Sequence, residues 1–231
     1  MVVFVLVHGG WHGGWCWQPV VDRLAAAGHR VFAPTLTGLA ERRHLIDAVD
    51  GPNTHVADVT SLMAFEDLHE IVLVGHSYGG TITTGVASLM PERIARLIYL
   101  DAMVPEISGM SAAALSTPER AAEVAAARRP DGHTDATGFE RWVSADRIDW
   151  LKTRVTPQPG RCFDQGVTLT GRQNEVKLRD YIICNRHKPS PFWRFYDRFR
   201  DDPAWRCHQL DSLHDAMIEV PDALCAILLS G

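Results

Sequence analysis

The chain has 231 residues, of which 46% are hydrophobic and 22% are charged, and its formal net charge is −5. This length suits one domain, residues 1–231, with a full hydrophobic core. The charge is not gathered into a basic stripe, which argues against a nucleic-acid partner. No apolar run approaches the ~20 residues of a membrane span, and the apolar N-terminal run lacks a charged leader, so we expect no membrane association.

Five cysteines are spread along the chain without a C-x-x-C motif. They are Cys16, Cys162, Cys184, Cys207 and Cys225. An odd number at wide spacing predicts neither a disulfide framework nor a zinc site. A reducing, cytoplasmic location is therefore the expectation, and no metal is expected.

Strand and helix patterns alternate through the first 105 residues. Strands are predicted at 2–7, 29–33, 71–74 and 94–100, and helices at 19–27, 54–67 and 80–89, with Thr54 as a cap. This order favours a parallel sheet with helices on both faces, the α/β class.

The alternation stops after residue 105 and returns near residue 177. Residues 111–129 are alanine-rich and predicted helical, with Ser116 and Glu119 spaced as a capping box. Beyond this stretch we predict strands at 177–184 and 205–210, and helices at 191–199 and 221–229. Residues 106–176 thus form an insertion without strand signals, and an insertion of that length is expected to be a functional lid.

The segment Ile71–Gly80, IVLVGHSYGG, joins a buried strand to a helix through the pattern G-x-S-x-G. This pattern is typical of a nucleophile elbow, a sharp turn that lifts a serine above the sheet. Glycines two residues before and after Ser77 relieve the crowding of that turn. The sequence therefore predicts Ser77 as a catalytic nucleophile.

A serine nucleophile needs a base and an oxyanion hole. A histidine on the loop after the last strand is the expected base, and His214 lies there. The predicted oxyanion donors are two backbone N–H groups, that of Tyr78 after the nucleophile and that of Gly10 in the loop after the first strand.

The acid that orients the histidine is missing from its usual place. The turn after strand 177–184 carries His187 and no carboxylate. Asp197 lies in a helix pattern, and Asp211 and Asp215 are too close to His214 in sequence. Asp101 follows the neighbouring strand, and because the carboxyl ends of parallel strands lie side by side, it is predicted to reach His214.

Five segments together resemble a known family. They are VHGGWHGGWCW, TLTGLAERRHL, LVGHSYGG, YLDAMVP and LHDAMIEVP. The combination is similar to small α/β-hydrolases of the subgroup that includes plant methyl-ester hydrolases, hydroxynitrile lyases and bacterial esterase-like members. The resemblance covers residues 1–105 and 177–231, and implies an α/β-hydrolase fold with Ser77 as nucleophile, His214 as base, and Gly10 and Tyr78 as the oxyanion hole.

Two departures from this subgroup concern its chemistry. The plant hydrolases usually have aspartate where this chain has His187. The lyases have lysine directly after the catalytic histidine, where this chain has Asp215, whose negative charge would repel cyanide.

The main hypothesis is a serine hydrolase, carboxylesterase-like, that cleaves a small ester through an acyl-serine intermediate without a cofactor. One alternative is a lyase or another non-hydrolytic biosynthetic enzyme using the same pocket. A second is a receptor-like protein that binds a small molecule with weak turnover. A monomer or a homodimer is expected.

Overall fold

A computed structural model describes residues 1–230. Its strands are β1 (Val3–Val7), β2 (Arg30–Phe32), β3 (Ile71–His76), β4 (Ile94–Leu100), β5 (His133–Thr134), β6 (Gln158–Pro159), β7 (Leu178–Cys184) and β8 (Arg206–Leu210). Its α-helices are α1 (Gln18–Ala26), α2 (Pro52–Phe65), α3 (Gly79–Leu89), α4 (Pro118–Ala126), α5 (Ile148–Lys152), α6 (Arg161–Asp164), α7 (Trp193–Phe199), α8 (Ala216–Glu219) and α9 (Pro221–Leu229).

Six strands form one parallel sheet in the order β2-β1-β3-β4-β7-β8. Every residue of β3 is buried, as are the last five residues of β4 and of β7. Strands covered on both faces read as continuous apolar runs, which is why these segments were recognisable in the sequence. The predicted α/β class and parallel sheet are confirmed.

The predicted boundaries of most elements differ from the observed ones by one or two residues. Helix α2 begins at Pro52 rather than after Thr54, because Gly51 takes a φ of 153° and Pro52 fits the first helical turn. The strand β3 continues to His76 and brings the chain directly into the elbow. None of these differences changes which residues reach the carboxyl ends of the strands.

The insertion between β4 and β7 contains α4, α5 and α6 together with the two-residue strands β5 and β6, which pair antiparallel. These two short strands were not predicted from the sequence. The predicted cap at Ser116 is wrong, because the hydroxyl of Thr117 accepts the Arg120 N–H at 3.3 Å and Pro118 opens α4. Thr117 sits directly before the proline, where the backbone is already extended as a cap requires.

Within residues 1–230 no helix is long and apolar enough to cross a membrane. The five cysteines are all unpaired thiols.

Candidate active site

The elbow serine occupies a strained backbone position. Ser77 has a φ of +54° at the turn between β3 and α3. Its N–H donates to the Leu100 carbonyl at 3.2 Å, and its own carbonyl accepts the N–H groups of Gly80 and Met103 at 3.1 Å. These bonds hold a conformation that a non-glycine residue rarely adopts. They leave the half-buried side chain of Ser77 on the wall of a cavity.

His214 lies on the loop after β8, as the sequence predicts, and faces the same cavity. Its N–H donates to the Arg141 carbonyl at 3.2 Å, and the ring of Phe192 stacks on its imidazole with 5.4 Å between centroids. Ser77 Oγ and His214 Nε2 are not within hydrogen-bond geometry in this structure. Such contacts often form only when substrate binds.

The Asp101 carboxylate meets His214 directly. Its Oδ2 atom lies 2.6 Å from His214 Nδ1, and the carboxylate is fully buried at the end of β4. The backbone of Asp101 has a φ of +43°, and its N–H donates to the Ile182 carbonyl of β7 at 2.7 Å. The structure thus brings together the acid and the base that the sequence places 113 residues apart.

A second histidine binds the same carboxylate oxygen. His187 Nδ1 lies 2.6 Å from Asp101 Oδ2, and the rings of His187 and His214 are 4.4 Å apart. The other oxygen, Oδ1, accepts the Cys184 N–H at 3.2 Å. The sequence identified His187 at the usual acid position, but it gave no sign that this ring would contact Asp101.

The two residues predicted to supply the oxyanion donors line the cavity and have free N–H groups. Gly10 and Tyr78 both line it, and neither N–H is taken by an acceptor within residues 1–230. The next N–H along the first loop, that of Trp11, donates instead to Gln158 Oε1 at 2.8 Å. Of the N–H groups of Gly10 and Trp11, only that of Gly10 therefore remains free to bind an oxyanion.

A further ion pair lies beneath this loop and was missed at the sequence level. Asp215, which directly follows His214, is completely buried, with Oδ2 3.0 Å from Nε2 of His12. The negative charge that we expect from the sequence to repel cyanide is therefore paired with His12. The sequence signal that could have indicated this pair is His12, the second histidine of HGGWHGG, because the predicted catalytic residues do not include it.

Burial decides the protonation of the base. It lowers the pKa of His214 well below the ordinary value, and neighbouring cationic or titratable groups, His187 first among them, lower it further. Burial also lowers the pKa of His76, whose ring is 4.4 Å from that of His214. His214 therefore rests as a neutral imidazole, the form that accepts a proton.

Two groups of buried side chains have the chemistry of metal ligands. They are Asp101 with His187 and His214, and His76 with His214 and Asp215. In the first group both nitrogens lie 2.6 Å from one oxygen, whereas two ligand atoms on a tetrahedral zinc ion are about 3.3 Å apart. The spacing fits shared protons better than a shared metal ion.

The cavity has a volume of about 370 Å³, and most of the surface that its lining exposes is apolar. Trp11 stacks against both Trp142 and Phe163, with centroids 5.6 and 4.9 Å away. The arginines of the lining are paired: Glu123 binds Arg120 at 2.9 Å and Arg141 at 2.8 Å. The wall therefore offers apolar surface and two arginines that already share a counter-ion.

A strained serine on an elbow, beside a buried histidine–aspartate pair on a parallel sheet, defines the class of α/β proteins that carry out nucleophilic catalysis. The sequence profile of the Alpha/beta hydrolase family matches residues 4–227. The chain belongs to the α/β-hydrolase family.

Individual relatives cover nearly the whole chain. A carbendazim hydrolyzing esterase from a Nocardioides species is 38% identical over 97% of this chain and 97% of its own length. Methylesterase 3 of Arabidopsis thaliana is 35% identical over 97% of this chain and 94% of its own. The expected resemblance to esterase-like α/β-hydrolases is confirmed.

Solved structures agree with this fold. An Arabidopsis methylesterase superposes with a TM-score of 0.78 at 25% identity, covering 99% of this chain and 98% of that one. An extracellular α/β-hydrolase from a Paenibacillus species reaches a TM-score of 0.86 at 19% identity, with the same coverage of both chains.

Proposed function

We propose that this protein is a serine esterase that hydrolyses small, neutral carboxylic esters through an acyl-serine intermediate. The observation that carries the proposal is the 2.6 Å contact between Asp101 Oδ2 and His214 Nδ1, formed on the cavity that also holds Ser77. The esterase names of relatives that match nearly the whole chain support the same reaction class.

In the acylation step Ser77 Oγ attacks the ester carbonyl while His214 Nε2 takes its proton. Asp101 fixes the Nδ1–H tautomer and stabilises the imidazolium that forms. The Gly10 and Tyr78 N–H groups bind the oxyanion; losing one such donor typically costs about 10²–10³ in turnover.

The tetrahedral intermediate then breaks down to the acyl-serine. The bond between carbonyl carbon and alkoxy oxygen breaks, and the leaving alcohol takes the proton from His214. Water next attacks the acyl-serine and gives a proton to the same Nε2. The bond between the carbonyl carbon and Ser77 Oγ then breaks, Oγ takes that proton back from His214, and the carboxylic acid is released. These steps require no redox partner and no co-reactant besides water.

The lining of the cavity supports a neutral and largely apolar substrate. Its aromatic wall offers stacking surface, and Arg120 and Arg141 are already bound by Glu123. A substrate carboxylate would have to compete for these cations. Residues 106–176 supply Phe163, Trp142 and much of α4 to the wall, so we assign this segment the role of a lid that selects the substrate.

The test is a screen of methyl and p-nitrophenyl esters against the wild type and the Ser77→Ala variant. We expect hydrolysis by the wild type and a fall of several orders of magnitude in the variant. A fluorophosphonate should add one label, at Ser77, seen by intact mass and peptide mapping.

Three results would contradict the proposal. Ester hydrolysis that survives in Ser77→Ala would exclude this serine as nucleophile. Tight ligand binding with no hydrolysis by the wild type would favour the receptor-like alternative, and turnover of the ligand without release of acid and alcohol would favour a lyase.

A further inference from the structure

One oxygen of the active-site carboxylate is shared by two imidazoles. Asp101 Oδ2 lies 2.6 Å from Nδ1 of His214 and 2.6 Å from Nδ1 of His187. All three side chains are buried, at 0%, 5% and 4% exposure. An ordinary catalytic histidine–aspartate pair has one imidazole on this oxygen, and here His187 is a second one.

The geometry fixes the tautomers of both rings. An ionised carboxylate only accepts hydrogen bonds, so each Nδ1 carries a proton and donates it. Asp101 then receives three donors, since the Cys184 N–H occupies Oδ1. The negative charge of Asp101 therefore interacts with two imidazoles instead of with His214 alone.

We propose that His187 is a positioning residue, whose Nδ1–H donation to Asp101 anchors the carboxylate and limits the basicity of His214. The proposal deepens the esterase function and depends on it only for its kinetic readout. With less carboxylate charge available, the His214 imidazolium is less stabilised, so the base stays neutral and active to a lower pH.

Substituting His187 leaves the other titratable groups around His214 unchanged in the sequence. The other titratable or charged groups near it are His12, His76, Arg120, Arg141, Cys184 and Asp215. Because the variants below leave all of these in place, a change in the titration of His214 reports the loss of the His187 donor.

Two substitutions separate the donor from the ring. In His187→Asn the side-chain amide nitrogen takes the place of Nδ1 and still donates to Asp101, but nothing replaces Nε2. In His187→Ala both nitrogens are lost. His187→Leu fills the ring's volume without a donor and replaces the alanine variant if that protein does not fold.

The experiment measures the acid limb of the pH profile of kcat/KM, with p-nitrophenyl acetate as substrate. We expect the limb to lie about 0.5–1 pH unit higher in His187→Ala than in the wild type, because a full carboxylate charge stabilises the imidazolium. In His187→Asn we expect the limb to remain at the wild-type position.

A second readout does not need activity. The pKa of His214 is followed by NMR of the imidazole nitrogens, assigned among the 11 histidines by comparison with His214→Asn. The same upward shift in His187→Ala, and none in His187→Asn, is expected. If the wild type hydrolyses no ester, the esterase proposal fails while this titration still tests the role of His187.

Two outcomes overturn the inference. An acid limb and a His214 titration that do not move in His187→Ala, or in His187→Leu, would show that the second donor does not affect the base. A shift of equal size in His187→Asn would show that Nδ1 donation is not what matters.

Discussion

Asp215 Oδ2 lies 3.0 Å from Nε2 of His12, and the other nitrogen of that ring lies 2.7 Å from the Gly10 carbonyl oxygen. Both oxygens act as acceptors, so both nitrogens carry protons and His12 is an imidazolium. Burial alone would lower the pKa of His12, but the Asp215 carboxylate outweighs it and raises that pKa. A buried ion pair thus fixes the carbonyl of Gly10, the residue whose N–H, on the preceding peptide, we assign to the oxyanion hole.

Removing this carboxylate should cost stability in a way that depends on what replaces it. Asp215→Ala leaves His12 buried without its counter-ion, and we expect a loss of about 3 kcal/mol in the free energy of unfolding. Asp215→Asn lets a neutral His12 keep its bond to Gly10 and accept from the amide, so the loss should be clearly smaller. Urea unfolding at pH 6 measures both.

The pH dependence gives a control for this interpretation. A pKa that is raised in the folded state adds stability below the unfolded value of about 6.5, and that stability is lost as pH rises through the folded value. The deficit of Asp215→Asn relative to the wild type should therefore shrink between pH 6 and pH 9. Equal losses in the alanine and asparagine variants would contradict the ion pair.

The glycine two residues after Ser77 has no room for a side chain. A Cβ on Gly79 would lie 2.6 Å from the carbonyl oxygens of both Val7 and His8, where β1 ends beside the elbow. Gly79→Ala should therefore displace the elbow and lower the melting temperature and activity together. Gly171→Ala is the control, because its φ of +91° is strained but no atom lies within 4 Å, and it should cost only about 1–2 kcal/mol.

The elements of this site that local sequence determines were predictable. The elbow at Ser77 depends on residues within one turn of each other, and continuous apolar runs revealed the central strands. The place of Asp101 beside His214 followed from topology, since the parallel strands β4, β7 and β8 are consecutive and end at the same edge of the sheet.

Contacts that depend on how distant segments of the chain are aligned could not be predicted from the sequence. His187 reaches Asp101 because Leu100 pairs with Ile182, which sets the ends of two strands side by side. The His12–Asp215 pair joins residues 203 positions apart. Ser116 and Thr117 are adjacent residues that both favour the N-cap position of a helix, so N-cap propensity alone does not show which of them caps α4.

Removing one partner from the buried ion cluster at the opposite end of β7 should be costly to stability. Asp180 is fully buried and accepts from Arg96 at 2.8 and 2.9 Å and from Arg206 and His208 at 3.0 Å. Asp180→Ala leaves the buried Arg96 uncompensated, and we expect it to lower the free energy of unfolding by about 3–5 kcal/mol.

The matched control is Asp222→Ala, whose carboxylate is 84% exposed and binds Arg23 at the surface. Exposed ion pairs contribute about 1 kcal/mol or less, so this variant should unfold almost like the wild type. Chemical denaturation of both variants at pH 7 compares them. Similar losses in the two would show that burial of Arg96 is not the source of the cost.

Acid should unfold this protein partly through His8, which is buried at the end of β1. Its Nε2 accepts the Leu36 N–H at 3.0 Å and its Nδ1 donates to the Gly9 carbonyl at 2.8 Å, so the ring is neutral. Burial lowers the pKa of His8 to about 3. Below the unfolded value of about 6.5 only the unfolded chain takes up the proton, so stability is lost as pH falls toward 3.

In His8→Gln the side-chain oxygen can still accept the Leu36 N–H, but the group does not titrate. We expect the stability of the wild type relative to this variant to fall by about 1.4 kcal/mol for each pH unit below 6.5. Urea unfolding at pH 8, 6 and 5 measures the difference, and the value at pH 8, where His8 is neutral in both states, reports packing alone. A difference that stays constant from pH 8 to pH 5 would show that His8 does not contribute to acid unfolding.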